Sequence, residues 1–248
     1  MQVGIFCAGT GSRLGDITQV TAKPAIEIGG IPCVSRIIDS VRKAKIIDES
    51  KPNQILINVH HLPETVKDAI LKYHLDIEHC ITFTEEKNLL NTAGALASWK
   101  NLINEEAILL FNGDMLLDIT NLHDLLDFHV IRRSQLTIGS GPVGREKLSE
   151  KGVIVTDKLG RVTYFVEKPQ NLSPNSTLRV NNGVYVINKE LIDYIHTDKP
   201  SSIGKDFIPD MVYIGKRVYN YQLEGLAIDI GTPEDLETAQ IFAEIIKK

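Results

Sequence analysis

Through its first 140 residues the chain alternates short apolar runs with stretches of helical period, and this alternation restricts the fold more than any other feature. Residues 3–7, 54–59, 80–84, 107–111 and 135–140 read as strands. Between them, 32–44, 64–73, 93–99 and 122–132 read as helices, the first with Val34, Ile37, Ile38 and Val41 on one face. Strand–helix alternation predicts an α/β fold: a three-layer sandwich around a mixed, mostly parallel sheet, Rossmann-like in its first half. In such sheets ligands bind at the carboxyl ends of the strands. The residues that follow each apolar run are therefore the ones to search for chemistry.

The second half carries more strand signal. Residues 152–156 and 161–166 flank Asp157-Lys158-Leu159-Gly160, a hairpin-like turn, and 178–187 is a long strand candidate. Residues 217–222 and 225–228 suggest a second hairpin. The last helix has clear punctuation: Thr232 as N-cap, Pro233 at the first helical position, then Glu234 and Asp235 near the positive end. Leu236, Ala239, Ala243 and Ile246 are expected to form its apolar stripe. No Pro-, Ser- or Gly-rich linker and no repeat interrupts the chain, so residues 1–248 are expected to form one domain of two sequential halves, 1–140 and 141–248.

Composition excludes several classes. The 248 residues are 43% hydrophobic and 24% charged, with net charge −5 and no basic stripe. Proteins that grip nucleic acid backbone carry the opposite balance, so phosphate chemistry here is expected in one small pocket. Cys7, Cys33 and Cys80 lie far apart with no CxxC spacing, which suggests neither a zinc site nor a disulfide framework. Cys7 reads as a buried thiol and Trp99 as a packing residue. His60-His61 have no Cys or acidic partner at metal spacing. The Met1-Gln2-Val3 start is too short for a signal peptide, and no apolar stretch approaches the roughly 20 residues that span a bilayer. Neither nucleic acid nor membrane is expected as a partner, and cytoplasm is the expected location.

The densest chemistry is Ala8-Gly9-Thr10-Gly11-Ser12-Arg13-Leu14, followed by Lys23-Pro24. A loop of small residues after a strand lets backbone N–H groups approach a phosphate. Arg13 adds a planar fork and Lys23 a point charge. No Gly-Lys-Ser/Thr ends the loop and it is not GxGxxG, so a glycine-rich turn with two surface cations is its bland reading. Asn112-Gly113-Asp114 puts a carboxylate at the end of a strand, for a ligand or for a helix cap. Glu167 and Lys168 precede Pro169, which predicts extended chain presenting the two to opposite sides. Asn181 lies in an apolar strand and needs a partner, a sugar hydroxyl or a buried turn. Gly152 could offer its N–H to a ligand or shape a bend.

Taken in order, these segments resemble the sugar-1-phosphate nucleotidyltransferases, short members of the mannose- or heptose-1-phosphate guanylyltransferase kind included. The opening resembles that family's (A/G)-G-x-G-(S/T)-R-L with K-P at the family spacing, and Thr18 falls where the family has Thr. Leu90-Asn91-Thr92-Ala93-Gly94-Ala95-Leu96 resembles L-G-T-A-G-A-L, and Asn112-Gly113-Asp114 resembles N-G-D. Phe165-Val166-Glu167-Lys168-Pro169 resembles F-x-E-K-P, and Val180-Asn181-Asn182-Gly183-Val184-Tyr185 resembles V-N-A-G-I-Y. Lys205-Asp206-Phe207-Ile208-Pro209 and Asp229-Ile230-Gly231-Thr232-Pro233-Glu234-Asp235 complete seven motifs. Two departures stand out: Asn91 where the family has Gly, and Ala22 where Pro is common.

The resemblance implies transfer of a nucleoside monophosphate from a nucleoside triphosphate to a sugar 1-phosphate, with release of pyrophosphate and with Mg²⁺ as cofactor. It implies that Ala8, Gly9, Thr10, Gly11 and Ser12 hold the nucleotide, with Arg13 on the outer phosphates and Lys23 on the α-phosphate. Glu86, Asn91 and Thr92 fall near the base. Asp114 and Asp229 hold the metal, and Arg13, Lys23 and Asp114 count as catalytic. Gly152, Glu167, Lys168 and Asn181 hold the acceptor, so the first half is the nucleotide side and the second the acceptor side. The base leans to guanine. A cytidylyltransferase with a non-sugar phosphate acceptor and a non-catalytic nucleotide-sugar sensor stay open, as does a homo-oligomer. Retention of both aspartates and Lys23 argues against the sensor.

Overall fold

In the computed structural model of the chain the described residues are 1–141, 149, 151–170 and 179–246, Ile246 by its backbone alone. In chain order the strands and helices are β1 (Gln2–Phe6), α1 (Ile17–Val20), β2 (Glu27–Ile28), β3 (Ile31–Pro32), α2 (Cys33–Lys43), β4 (Ile55–Val59), α3 (Pro63–His74), β5 (Ile81–Glu85), α4 (Asn91–Ser98), β6 (Ala107–Asn112), β7 (Met115–Ile119), α5 (Leu122–Ile131), β8 (Leu136–Gly141), β9 (Gly152–Thr156), β10 (Val162–Glu167), β11 (Arg179–Asn188), α6 (Ile208–Tyr213), β12 (Val218–Gln222), β13 (Gly225–Asp229) and α7 (Pro233–Ile246). The fold is α/β, with a mixed parallel and antiparallel sheet and helices on both sides, as the alternation predicts. The elements expected from periodicity are present, with ends moved by a residue or two where fraying and capping decide the limit. The expected first residue of the long strand, Leu178, lies outside the described residues.

The chain packs as two units that interleave in sequence. The first comprises Met1–Leu89, Phe111–Ile119 and Gly225–Lys248; the second comprises Leu90–Leu110 and Thr120–Glu224. In the first unit β1, β4 and β5 run parallel, with Val3 beside Ile55 and Ile55 beside Ile81. Their residues form apolar runs because a parallel strand is covered on both faces. Helix α2 packs on β7 and α3, and its Val34, Ile37, Ile38 and Val41 are fully buried. Each such side chain contributes about 1.5–3 kcal/mol relative to exposure. Arg42 and Lys43 sit in its last turn, against the negative helix end. Helix α7 is capped as expected: the Thr232 hydroxyl accepts the Asp235 N–H at 3.2 Å. Its Ala239 and Ala243 are buried with Leu14, Ile28, Leu116 and Ile230.

In the second unit the strand order is β10-β9-β11-β8-β12, antiparallel except for the parallel pair β8 and β12. The expected turn joins β9 and β10: Asp157 accepts the N–H groups of Leu159 and Arg161 on one carboxylate oxygen, and Gly160 takes φ 82°. Strand β11 carries an irregularity between Asn181 and Val184, with Gly183 at φ 68°.

The second expected hairpin does not form. Strand β12 pairs with β8, whereas β13 pairs antiparallel with β7, a strand the periodicity did not separate from the Asn-Gly-Asp turn. Local pattern identifies a strand but not its partner. Here the chain between them is committed elsewhere, because Asn121 accepts the Glu224 N–H at 2.9 Å and donates to the Gln222 carbonyl at 3.3 Å. Gly225 then enters β13 at φ 106°, where an added Cβ would stand 2.0 Å from the Asp118 carbonyl oxygen. Gly225→Ala should therefore destabilise by at least about 2 kcal/mol, since a strained backbone and a clash combine. Urea denaturation measures it, and a loss under about 0.5 kcal/mol would mean the β7–β13 ladder tolerates a side chain there.

Candidate functional site

The small-residue loop leaves the carboxyl end of β1. Asn58 of β4 accepts the Cys7 N–H at 2.9 Å, which fixes the loop's first peptide. Ala8 is buried, whereas Gly9, Thr10, Ser12 and Arg13 are exposed. No atom lies within 4 Å of where a Gly9 Cβ would be, so open space covers that backbone. Gly11 takes φ 64°, and the Thr18 hydroxyl donates to the Gly11 and Gly15 carbonyls at 3.2 and 3.1 Å. Those bonds give Thr18 a physical task, bracing the loop. A short 3₁₀ turn, Ser12–Leu14, drops Leu14 into the core and leaves Arg13 outside, its guanidinium 3.1 Å from where a Gly231 Cβ would stand.

Lys23 enters just beyond. It is 6% exposed, and its Nζ lies 2.5 Å from Asp114 Oδ2 and 2.9 Å from Asp229 Oδ1. The two aspartates meet because the β7–β13 ladder puts Met115 beside Asp229, and the Ile230 N–H donates to the Asp114 carbonyl at 3.2 Å. Gly113 makes the preceding turn against β1. Its N–H donates to the Phe6 carbonyl at 2.9 Å, and a Cβ there would stand 2.6 Å from Cys7 Sγ. Burial pulls the Lys23 pKa down, but Asp114 and Asp229 outweigh it and hold the ammonium above its ordinary value. Beneath it, burial and then Asp114 push the Cys7 thiol well up, so Cys7 stays a neutral packing group. Two carboxylates thus converge on one cation, and among the described residues no cluster of three His, Cys, Asp or Glu side chains forms. That donor set fits Mg²⁺, which takes one or two carboxylates and fills its shell with water and phosphate oxygens.

Glu86 is 8% exposed, and its Oε1 accepts from Asn58 Nδ2 at 2.6 Å. The histidines set aside as ligands are hydrogen-bond donors to carbonyls: His60 Nδ1 to Glu86 and His61 Nε2 to Thr18, each at 2.7 Å.

The second unit gathers the other group. Glu167 Oε2 is sealed from solvent, with no hydrogen-bond partner among the described residues. A Cβ on Gly152 or on Gly204 would each stand 2.7 Å from it. Burial raises the Glu167 pKa, with Lys168 and Lys151 opposing. Asn181 lies against Gly152, its Oδ1 accepting the Gly183 N–H at 3.0 Å and its Nδ2 donating to the Tyr185 hydroxyl at 2.7 Å. Lys168 departs from expectation: it is exposed and takes φ 49°, not extended chain, because its N–H turns back to the Lys151 carbonyl at 3.1 Å. Asn91 takes φ 59°, a left-handed geometry that Gly or Asn supplies at least cost. Thr92 is occupied locally, its hydroxyl accepting the Ile203 N–H at 2.9 Å.

Three residues escaped the sequence reading. Gly204 had no signal outside the fold, since only the π-turn Ile203–Phe207 brings it to Glu167. Asn58 was legible, since a polar residue inside Ile55-Leu56-Ile57-Asn58-Val59 demands a partner, as Asn181 did, and Tyr185 stood in the Val180–Tyr185 motif without a task of its own.

Comparison with known proteins shows which family the chain resembles. The chain is 33% identical over 242 residues to a mannose-1-phosphate guanyltransferase of Debaryomyces hansenii and 32% identical to that of Saccharomyces cerevisiae. Each alignment covers 96% of this chain, which spans 63% of the length of those relatives. The crystal structure of HddC from Yersinia pseudotuberculosis matches with a TM-score of 0.78 at 23% identity, covering 99% of both chains. HddC complexed with GMP-PN matches with a TM-score of 0.76 at 22% identity, covering 97% of this chain and 98% of that one. The model of the nucleotidyl transferase family matches residues 4–245, and the chain belongs to that family.

Proposed function

We propose that this chain transfers a nucleoside monophosphate, preferentially GMP, from the triphosphate to a hexose or heptose 1-phosphate and releases pyrophosphate, as one nucleotidyltransferase unit in the cytoplasm. The observation that carries the reading is the buried Lys23 ammonium held by Asp114 and Asp229 beside an open glycine loop. Phosphoryl transfer needs positioning and charge neutralisation rather than a covalent protein group.

In this reading the backbone of Ala8, Gly9, Thr10, Gly11 and Ser12 cradles the phosphates and Arg13 binds the outer two. Lys23, on a flexible stem, turns from its carboxylates to the α-phosphate. Asp114 and Asp229 would hold Mg²⁺, which supplies charge neutralisation between acceptor phosphate and α-phosphate when bound. An acceptor phosphate oxygen forms the new bond to the α-phosphorus while the bond to the β-bridging oxygen breaks. Lys168 binds the acceptor phosphate. Glu167 accepts sugar hydroxyls through Oε1, since Oε2 is walled in, and Asn181 and the Gly152 N–H complete the sugar contacts. Asn91 and Thr92, at the start of α4, assist on the nucleotide side. Glu86 reads the base. An ionised carboxylate only accepts, and guanine alone among the common bases offers two adjacent donors, N1–H and the 2-amino group, on its pairing edge.

Pyrophosphate release over a grid of nucleoside triphosphates and phosphorylated acceptors tests the assignment. GTP with a hexose or heptose 1-phosphate should give the highest rate, and turnover only with CTP and a non-sugar phosphate would overturn it.

Asp114→Asn and Asp229→Asn should each lower turnover on the order of 10²- to 10³-fold, the scale for one preorganised charge stabiliser. Their effects should be non-additive, because both serve one ion. A double variant that loses the product of the single effects contradicts a shared cation.

Glu167→Gln should raise the KM for the sugar phosphate and leave nucleotide affinity unchanged. The raised carboxyl pKa adds a pH signature. A raised carboxyl pKa favours the folded protein when protonated, so that contribution is lost as pH rises through the folded-state pKa. Acceptor affinity should move oppositely and improve over the same window as the carboxylate forms. Profiles of kcat/KM for the acceptor that coincide for wild type and Glu167→Gln would remove Glu167 from the acceptor side.

A further inference from the structure

Asn58 stands next to the carboxyl end of β4 with 2% of its surface exposed. Burying a primary amide is costly unless its donors and acceptor are paired. Its partners fix its orientation without ambiguity. Cys7 N is only a donor, so Asn58 Oδ1 must face it, at 2.9 Å, and the amide nitrogen must then face Glu86 Oε1, at 2.6 Å. The second bond is charge-assisted and short. The Glu86 backbone is pinned as well: its N–H donates to the Val59 carbonyl at 2.9 Å, and its own carbonyl accepts from His60 Nδ1 at 2.7 Å. One side chain therefore holds both the first peptide of the glycine loop and one oxygen of the Glu86 carboxylate. The β4–β5 register, with Asn58 beside Thr84 and Val59 beside Glu85, brings the two to the same strand ends.

We propose that Asn58 is a positioning residue for base selection: it sets the plane of the Glu86 carboxylate relative to the glycine loop, so that guanine is discriminated without Asn58 touching the nucleotide. This rests on the assignment of Glu86 to the base. An amide at 58 presents one acceptor to Cys7 and one donor to Glu86. A carboxylate at 58 keeps the first bond and turns the second into repulsion, and exchanging both residues restores a donor–acceptor pair with its polarity reversed.

The experiment compares wild type, Asn58→Asp, Glu86→Gln and the double variant Asn58→Asp/Glu86→Gln. It reads kcat/KM for GTP, ITP and ATP with one sugar 1-phosphate, and each unfolding midpoint. ITP lacks only the 2-amino group, so the GTP:ITP ratio reports one hydrogen bond. Asn58→Asp should lower the GTP:ITP and GTP:ATP ratios at least tenfold while kcat at saturating GTP stays within about threefold. The double variant should regain the unfolding midpoint but not the guanine preference. A merely structural Asn58 would lower the midpoint and leave both ratios in place. Asn58→Ser, too short to hold both partners, replaces Asn58→Asp if the latter does not fold. Ratios that collapse in Glu86→Gln but persist in the Asn58 variants overturn the proposal and leave the base assignment standing. Ratios unchanged in Glu86→Gln remove the base assignment, and the proposal with it.

Discussion

An ammonium almost sealed from water and shared by two carboxylates organises this protein. Taking a lysine out of solvent carries a desolvation cost of several kcal/mol. Lys23 meets it with two oppositely charged partners within 3 Å, whose own side chains keep about a third of their surface. The arrangement demands convergence of three segments far apart in the chain. Gly113 exists as glycine because its backbone must press against Phe6 and Cys7 to aim Asp114. The β7–β13 ladder exists in its register because Asp229 must stand beside Met115. The triad carries a formal net charge of −1, one carboxylate more than its ammonium neutralises.

The second unit treats charge in the opposite manner. Glu167 has its inner oxygen enclosed by the faces of two glycines, with no donor to it among the described residues. An unpaired buried carboxylate oxygen costs stability, and the raised pKa is the same penalty expressed in protons.

Much of this was legible in the residues. The buried strands Ile55–Val59 and Ala107–Asn112 are near-continuous apolar runs, and α2 displays a single apolar face, so periodicity found them. The motifs around Gly11, Asp114 and Glu167 stood at strand ends, where the α/β rule directs attention. What stayed hidden was partnership. Nothing local distinguishes a β13 that folds back on β12 from one that crosses to β7. Lys168 was expected extended because Pro169 follows it, but the bond to Lys151 overrides that preference. Gly204 looked like any loop glycine until the π-turn placed it on a carboxylate. Asn58 was visible as a polar residue among aliphatics, and only its two partners make it meaningful.

The ladder between β7 and β13 also has a meaning in time. A ribosome delivers the chain in order from its amino-terminal side, and Ile119 emerges more than a hundred residues before Gly225, its neighbour in the ladder. Throughout that interval the nascent chain holds Lys23 and Asp114 but no Asp229, and β7 carries an unpaired edge of the sort that invites wrong strand pairing. Closing so long a loop adds little equilibrium cost but slows folding. The glycine loop and its neighbours can be assembled early, whereas the full charge triad is a late event, completed only after the entire second unit has been made.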